Sequence, residues 1–407
     1  MVETACQKRS RPRATSPTAA DAHSSRRWRA GPKVRSMVGG GAGGENAPWH
    51  KQAAAIGAFT CTNIGLNVFN SWALKRHHWP DFEFPIFYTM WHMVFSAGAA
   101  LLLLKYVNPA PTGLPSFQQF WEYKNTIVPI AACTTLNNGL NNMSLTLVSL
   151  FVNQVIKATA PLPSLFFSAV FAGKVYSRPV IASVCVIVVG SVLANAHTMA
   201  SGNSDDNSII GVIICCVSLL ANAMKPVLAM ISMSRASGDV PKLAPTVVLF
   251  YDCATSFVFM LVYWLLSPER EGSISYLGNP STTLIGIGII CASATMAFGF
   301  NLAVYYFVAY TSALTSMVGA NGIKIFLIST SAIAAGVTDL LSWIGIALVV
   351  SAIVLYAYIG YTEARQSDLA KAAAAATLSR NPSEVEVAGK PIAGGEKAPL
   401  VPGPSRA

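Results

Sequence analysis

The sequence predicts an all-α integral membrane protein with about ten transmembrane helices. Hydrophobic residues make up 53% of the 407 residues, charged residues make up only 11%, and the mean hydropathy is +0.48. A typical soluble domain carries roughly 25% charged residues. A transmembrane helix needs about 20 apolar residues, and lipid cannot satisfy an open backbone, so long apolar runs of this kind indicate membrane-spanning helices.

The apolar runs follow one another with short polar connections. The predicted spans cover residues 53–73, 84–106, 126–146, 148–172, 179–197, 209–231, 244–266, 283–308, 312–336 and 340–361. If the N-terminus is cytosolic, the basic loop residues on the cytosolic side are Lys105, Lys124, Lys174, Arg178, Arg235 and Lys242. This modest bias favours a cytosolic N-terminus, and an even number of spans then makes the C-terminus cytosolic as well.

The two ends of the chain differ from the membrane domain at 52–363. Residues 1–51 hold ten Lys and Arg against three acidic residues, so +7 of the formal charge of +10 lies there. This Arg-, Ser- and Ala-rich composition suits an organelle transit peptide, and a disordered basic cytosolic tail explains it equally well. Residues 364–407 lack an apolar face, which predicts a disordered cytosolic tail. Since the membrane domain is nearly neutral, the positive charge does not indicate a nucleic-acid partner.

A weak internal repeat relates the halves at about 52–200 and 209–361. The pairs separated by 160 positions are Pro85 and Pro245, His92 and Asp252, Gly139 and Gly299, and Asn141 and Asn301. A second set, separated by 167 positions, pairs Ser149 with Ser316, Lys157 with Lys324, and Ser164 with Ser331. Because five spans is an odd number, a repeated five-span unit must be inverted in the membrane, as in many secondary transporters.

Lysines inside the apolar spans are the main candidates for a binding site. A charge near the bilayer centre costs roughly 2.5 to 3.5 kcal/mol, so it is usually kept for a partner or a ligand. Helical spacing predicts two polar stripes, namely Asn153, Lys157, Ser164 and Ser168 in one half and Asn321, Lys324 and Ser331 in the other. Together with Lys225 they predict a cationic pocket with few acids, for which phosphate is the obvious ligand.

Structural roles for these residues stay open. Lys157 could pair with Asp252 or extend to the membrane surface, and His92 is more typical of helix packing than of a proton relay. The four amides in "LNNGLNN" at 136–142 could join helices or contact hydroxyls or a base edge. The spans hold no apparent nucleophile and base pair and no set of metal ligands, so we expect neither an enzyme nor a cofactor.

Four stretches carry a family resemblance. They are "FPIFYTMWHM" at 84–93, "LNNMSLTLVSLFVNQVIKATAP" at 140–161, "ANAMKPVL" at 221–228 and "TSALTSMVGANGIKI" at 311–325. The most specific element is the N-x-x-x-K-x-[ST]-x-P pattern at 153–161. Together the stretches resemble the triose-phosphate and nucleotide-sugar transporter family of the drug/metabolite transporter superfamily, over about residues 53 to 361.

The resemblance implies an antiporter with two inverted five-helix halves, with 52–363 as the transporter domain. It would exchange a nucleotide sugar for a nucleoside monophosphate, or a sugar phosphate for phosphate. The family's phosphate-binding lysines fall on Lys157 and Lys324, its basic residue of span 6 on Lys225, and polar residues of plastid exchangers on Asn138, Asn141 and Asn301. With the two stripe amides, the predicted substrate-binding residues are Lys157, Lys324, Lys225, Asn138, Asn141, Asn153, Asn301 and Asn321.

One departure from the family separates the two substrate classes. Plastid phosphate exchangers follow the span 9 lysine with arginine, whereas here Ile325 stands in that place. Since arginine gives a bidentate contact that a single lysine cannot, its loss favours a nucleotide sugar and a Golgi or other endomembrane location. The basic first 51 residues favour a plastid envelope instead. The expected partners are the substrate, its counter-anion and membrane lipid, and a homodimer is compatible with the sequence.

Overall fold

The computed structural model describes residues 47–73, 82–148, 150–194, 209–234, 242–334 and 339–380. Within these ranges the chain forms twelve α-helices and no strand. The helices are α1 (Trp49–Ala73), α2 (Pro85–Tyr106), α3 (Phe117–Leu147), α4 (Leu150–Ala158), α5 (Pro161–Ala172), α6 (Arg178–Ala194), α7 (Ile209–Ser234), α8 (Pro245–Leu266), α9 (Glu269–Gly278), α10 (Pro280–Tyr310), α11 (Ala313–Ala334) and α12 (Leu340–Arg380).

The helices lie where the sequence predicts membrane spans, and their composition is that of a membrane protein. Among the described residues, five helical segments are long and apolar enough to cross a membrane: Pro85–Tyr106, Ile209–Ser234, Pro245–Leu266, Pro280–Tyr310 and Leu340–Gln366. The apolar stretches Pro161–Ala172, Arg178–Ala194 and Ala313–Leu327 are shorter. Exposed side chains on these helices are often large and apolar, for example Val189, Val258 and Val354, which suits contact with lipid.

Proline residues set several helix starts. Pro85 and Pro245 stand at the beginning of α2 and α8, where the missing N–H costs nothing and the fixed φ favours the first turn. Asn279 caps α10 by accepting a hydrogen bond from the Ser281 N–H at 3.1 Å. Gly173 ends α5 in the left-handed conformation at φ 65°, which an L side chain rarely adopts.

The predicted span at 148–172 is broken into two helices. The α4 helix ends at Ala158, and α5 begins at Pro161, because proline lacks the N–H for an interior helical bond and its ring clashes with the preceding turn. The prediction of a continuous polar stripe through this span was therefore wrong. Ser164 and Ser168, both fully buried on α5, do not share the environment of Lys157.

Packing pairs helices from the first half with helices from the second. The largest contacts are α3 with α7, α6 with α12, α2 with α8, and α1 with α10. In the weak sequence repeat, α1, α2, α3 and α6 correspond to α7, α8, α10 and α12. Under this correspondence the contact of α3 with α7 is equivalent to that of α10 with α1. The contacts of α2 with α8 and of α6 with α12 are each equivalent to themselves. The largest core cluster joins α2, α3, α7, α8 and α10, and it includes the buried Val227, Leu249 and Tyr305.

Two further parts of the described chain differ from the sequence prediction. The α12 helix continues through Arg380, so 364–380 is helical rather than disordered; its alanine run has the highest intrinsic helix propensity. The short α9 helix was not predicted. The expectations for 1–46 and for 381–407 lie outside the described residues.

Candidate functional site

A cavity of about 680 Å³ lies among α1, α2, α3, α4, α7, α10 and α11. Three lysines line it, and no aspartate or glutamate is among the described residues of its wall. Its asparagines are Asn63, Asn67, Asn70, Asn137, Asn138, Asn141, Asn153, Asn222, Asn301 and Asn321. The wall is therefore cationic and rich in amides, which suits an anion that also carries neutral polar groups.

The structure brings all eight predicted site residues to this cavity. They come from five helices, α3, α4, α7, α10 and α11, and they are Lys157, Lys324, Lys225, Asn138, Asn141, Asn153, Asn301 and Asn321. Their placement differs in burial and in hydrogen bonding, so they divide into groups with different chemistry.

Lys157 stands in the last turn of α4, beside the break before α5. The C-terminal end of a helix carries a partial negative charge, which favours a cation there. The only polar contact of its Nζ in the described chain is a long one of 3.5 Å to Asn137 Oδ1. A carboxylate partner for Lys157, considered from the sequence, is absent from the described residues.

Lys324 lines the same cavity from α11 and forms no ion pair with a carboxylate among the described residues. Because Lys157 and Lys324 line the same cavity and its described wall holds no carboxylate, their like charges repel each other. The next residue, Ile325, is 3% exposed and packs in the core cluster of α6, α11 and α12. The side chain that replaces the family's arginine thus points into the protein core.

Lys225 differs from the other two lysines because a carboxylate neutralises it. Its Nζ lies 3.0 Å from Asp252 Oδ2, and the Asp252 side chain is only 2% exposed. The sequence predicted few acids in the pocket and left Asp252 open as a partner of Lys157, whereas the carboxylate pairs with Lys225 instead. Hydrogen bonds to Asp252 come from Tyr305 OH at 2.7 Å and Thr134 Oγ1 at 2.8 Å.

Two of the predicted asparagines use their amides to join helices. Asn321 is 2% exposed, and its Nδ2 donates to the carbonyl oxygen of Ala158 at 2.7 Å. This bond satisfies a carbonyl at the end of α4, next to Lys157, where no helical donor follows. Asn153 is 1% exposed and donates to Ser144 Oγ at 2.7 Å and to Asn141 Oδ1 at 3.2 Å.

Two of the remaining predicted asparagines, Asn138 and Asn301, are half-buried and less constrained, whereas Asn141 already accepts the bond from Asn153. Asn138 Oδ1 accepts from Asn137 Nδ2 at 3.3 Å. Asn301, on α10, has no hydrogen bond from its side chain within the described part of the chain. These amides can turn toward a ligand without breaking a helix contact.

His92 packs between helices. It is 5% exposed, its Nε2 lies 2.7 Å from Ser293 Oγ, and its ring centroid lies 4.2 Å from that of Tyr88. His92 therefore ties α2 to α10, in the way that its repeat partner Asp252 ties α8 to α3 through Thr134.

The sequence analysis missed several wall residues. On α1 they are Asn63, Asn67 and Asn70, and on α7 it is Asn222; Asn137, also in the wall, belongs to the amide cluster at 136–142. The spacing of four and then three residues on α1 places its three asparagines on one helical face. That spacing was the available signal.

The sequence is similar to known membrane transporters. The sequence pattern of the Triose-phosphate Transporter family matches residues 51–357. A probable sugar phosphate/phosphate translocator of Arabidopsis thaliana is 28% identical over 292 residues, which are 71% of this chain and 74% of that protein. A GDP-mannose transporter of the same plant is 24% identical over 259 residues, which are 64% of this chain and 71% of that protein.

The fold is also found in a chain of known crystal structure. It superposes with a TM-score of 0.52 at 15% identity, over 76% of this chain and 97% of the other. At that identity the likeness shows a shared fold alone. The resemblance that the sequence motifs indicated is confirmed by the family match, which covers the helices that form the lysine-lined cavity. The chain belongs to the Triose-phosphate Transporter family, and it is a transporter rather than an enzyme.

Proposed function

We propose that this transporter is a secondary antiporter that exchanges a nucleotide sugar for a nucleoside monophosphate by alternating access. The observation that carries the proposal is the pair Lys157 and Lys324, which face one cavity with no carboxylate in its described wall. Two cations in such a cavity suit a phosphate or diphosphate group, which would accept hydrogen bonds from both.

The exchange mode follows from the electrostatics of the empty cavity. Lys157 and Lys324 repel each other, and each is partly removed from water. A bound anion offsets the repulsion and the desolvation, so the loaded carrier changes conformation more easily than the empty one. We therefore expect obligatory exchange rather than net uniport.

The helix packing supports an inverted repeat of two five-helix halves. The contact of α3 with α7 has its counterpart in that of α10 with α1, and Pro85 and Pro245 begin the equivalent helices α2 and α8. In transporters built this way, the substrate lies between the repeats and each half rocks against the other. The cavity has this position, since its wall comes from both halves.

In the proposed site, the residues have different roles. Lys157 and Lys324 hold the phosphate or diphosphate, while Asn138, Asn141 and Asn301 contact neutral polar groups of the substrate. Asn153 and Asn321 act as positioning residues, because their amides already bond to neighbouring helices. Lys225 contributes less to anion binding, because Asp252 neutralises it.

The nucleotide sugar is placed first because of Ile325. No arginine stands beside Lys324 in the sequence, and the described cavity wall holds lysines but no arginine, so the bidentate contact that suits a small phosphate ester is missing. A cavity of about 680 Å³ is within the range of roughly 300 to 1,000 Å³ that encloses drug-sized ligands. The second candidate is sugar-phosphate/phosphate exchange, which the name of the Arabidopsis translocator favours.

Counter-exchange in liposomes tests both candidates. Vesicles containing the purified full chain are preloaded with inorganic phosphate or with AMP, GMP, UMP or CMP, and uptake of labelled UDP-glucose, GDP-mannose and glucose 6-phosphate is measured. The proposal expects a nucleotide sugar to enter only against a nucleoside monophosphate. Exchange of glucose 6-phosphate for phosphate alone would favour the second candidate, and no exchange by protein that melts cooperatively would refute both.

The two candidate substrate classes predict different locations in the cell. A nucleotide-sugar exchanger belongs in the Golgi or another endomembrane, and a sugar-phosphate exchanger belongs in a plastid envelope. Fusion of residues 1–51 to a soluble reporter separates them: the first location predicts an uncleaved cytosolic reporter. Import with cleavage near residues 34–37 would contradict it.

A further inference from the structure

We propose that the asparagine face of α1, formed by Asn63, Asn67 and Asn70, is a subsite that recognises hydroxyl groups of the sugar. This inference rests on the proposed exchange of a sugar-bearing anion. All three side chains line the cavity, and they repeat at four and then three residues, so they lie on one face of the helix. With a rise of 1.5 Å per residue, the face extends about 10 Å along the helix axis.

Most hydrogen bonds of this face do not join α1 to another helix. Asn67 Nδ2 donates to the carbonyl oxygen of Asn63 at 2.8 Å and to the Asn63 side chain, and both bonds lie within α1. Asn70 alone reaches another helix, since its Oδ1 accepts from Tyr88 OH at 2.8 Å. Asn63 and Asn70 are half-buried and Asn67 is exposed while all three line the cavity, so their remaining polar atoms are open to a ligand.

The groups left over on this face are both donors and acceptors. In the described part of the chain, Asn67 Oδ1 has no donor, and the Nδ2 groups of Asn63 and Asn70 have no acceptor. A hydroxyl group donates one hydrogen bond and accepts others, so it can satisfy both kinds. The ionised oxygens of a phosphate group only accept, and their natural partners are the lysines.

The placement of the lysines and of the asparagine face predicts how the substrate is oriented in the cavity. Lys157 and Lys324 come from α4 and α11, whereas the asparagine face comes from α1 and carries no charge. A sugar ester of phosphate has the same division, with one anionic end and one neutral end that bears hydroxyls. The lysines would bind the phosphate groups, which both exchanged substrates carry. The α1 face would bind the sugar hydroxyls, which only one of the two substrates carries.

The test compares two substrates in the same liposomes. The variants Asn67→Ala and Asn63→Ala should not weaken the helix, because alanine has the higher helix propensity. Each removes about one neutral hydrogen bond to the sugar, so uptake efficiency of the sugar-bearing substrate should fall about three- to tenfold. Homo-exchange of the sugar-free partner, nucleoside monophosphate or inorganic phosphate, should stay within about twofold of the unmodified protein.

The matched control is Asn125→Ala, which alters an exposed asparagine of α3 outside the cavity and should change neither rate. If the α1 variants leave both rates unchanged, or lower both equally while the melting temperature is kept, the subsite assignment is wrong and the exchange proposal stands. If the unmodified chain exchanges none of the anions, the proposed function fails first, and the subsite fails with it.

Discussion

Lys225 Nζ lies 3.0 Å from Asp252 Oδ2, and this ion pair connects α7 to α8 beside the cavity. Asp252 also accepts hydrogen bonds from Tyr305 and Thr134, so the carboxylate is saturated in a buried position. The pair reduces the positive charge of the cavity wall to that of Lys157 and Lys324, which identifies the two lysines that can be reserved for an anion.

Lys225→Gln should destabilise the protein more than it impairs anion binding. The substitution leaves the Asp252 carboxylate buried without its cation, and breaking such a pair costs about 3 kcal/mol or more. Thermal unfolding in detergent should show a clear loss in melting temperature. The double variant Lys225→Gln with Asp252→Asn should recover most of it, and a single variant that melts like the unmodified protein would contradict the structural role.

Asn321→Ala should impair transport through the position of Lys157. The variant leaves the Ala158 carbonyl at the end of α4 without its donor, at a cost of about 1 to 3 kcal/mol. We expect a lower melting temperature and weaker uptake of every anion, whether or not it carries a sugar. A selective loss of one substrate would instead indicate direct contact between Asn321 and that substrate.

Gly345→Ala should destabilise the contact between α6 and α12. An added Cβ would overlap backbone atoms of Leu193 and Ala194, which cannot rotate away. Overpacking of this kind costs about 1 to 3 kcal/mol. The matched control is Gly360→Ala on the same helix, where an added Cβ meets nothing within 4 Å. It should be neutral or stabilising, and the contrast in melting temperature measures the close approach.

Glu269, which lies between two membrane spans in the short helix α9, should make the stability of the protein depend on pH. Burial raises the pKa of this carboxyl above its ordinary value of 4.5, although the N–H groups of Phe87 and Ile86 partly oppose the rise. The folded protein then binds the proton more tightly than the unfolded chain does, so stability falls as pH rises from about 4.5 through the raised pKa.

The pH dependence can be assigned with one variant. Melting temperatures of the unmodified protein should decrease over that window, and those of Glu269→Gln should be flatter. A variant with the same slope as the unmodified protein would show that another group is responsible.

The helices could be predicted from sequence because lipid demands long apolar runs, but the break in the fourth span was read incorrectly. Pro161 and Pro163 were visible, yet the polar pattern suggested one stripe through Ser168. Proline stops the helix, and the second segment then presents a different face to the cavity. Helical periodicity places residues on one face only within an uninterrupted helix.

The residues of the candidate site could be predicted as far as they are recognisable within single helices. All eight predicted residues line the cavity, because polar groups in apolar helices are retained on the interior face. The pairing of Lys225 with Asp252 could not be predicted in this way, since helical periodicity does not say which face of α8 meets α7. The asparagine face of α1 had a readable spacing, but neutral amides are weaker signals than lysines in an apolar run.

The most direct test of the anion site is counter-exchange by Lys157→Gln and Lys324→Gln in liposomes. Glutamine keeps much of the side-chain volume and removes the charge, and a charged hydrogen bond contributes on the order of 1.5 to 3 kcal/mol. Each variant should therefore lose roughly ten- to a hundredfold in uptake efficiency. The exposed Lys242→Gln serves as the control, and it should exchange at the unmodified rate. If both cavity variants also exchange at that rate while reaching the membrane in folded form, Lys157 and Lys324 do not bind the transported anion.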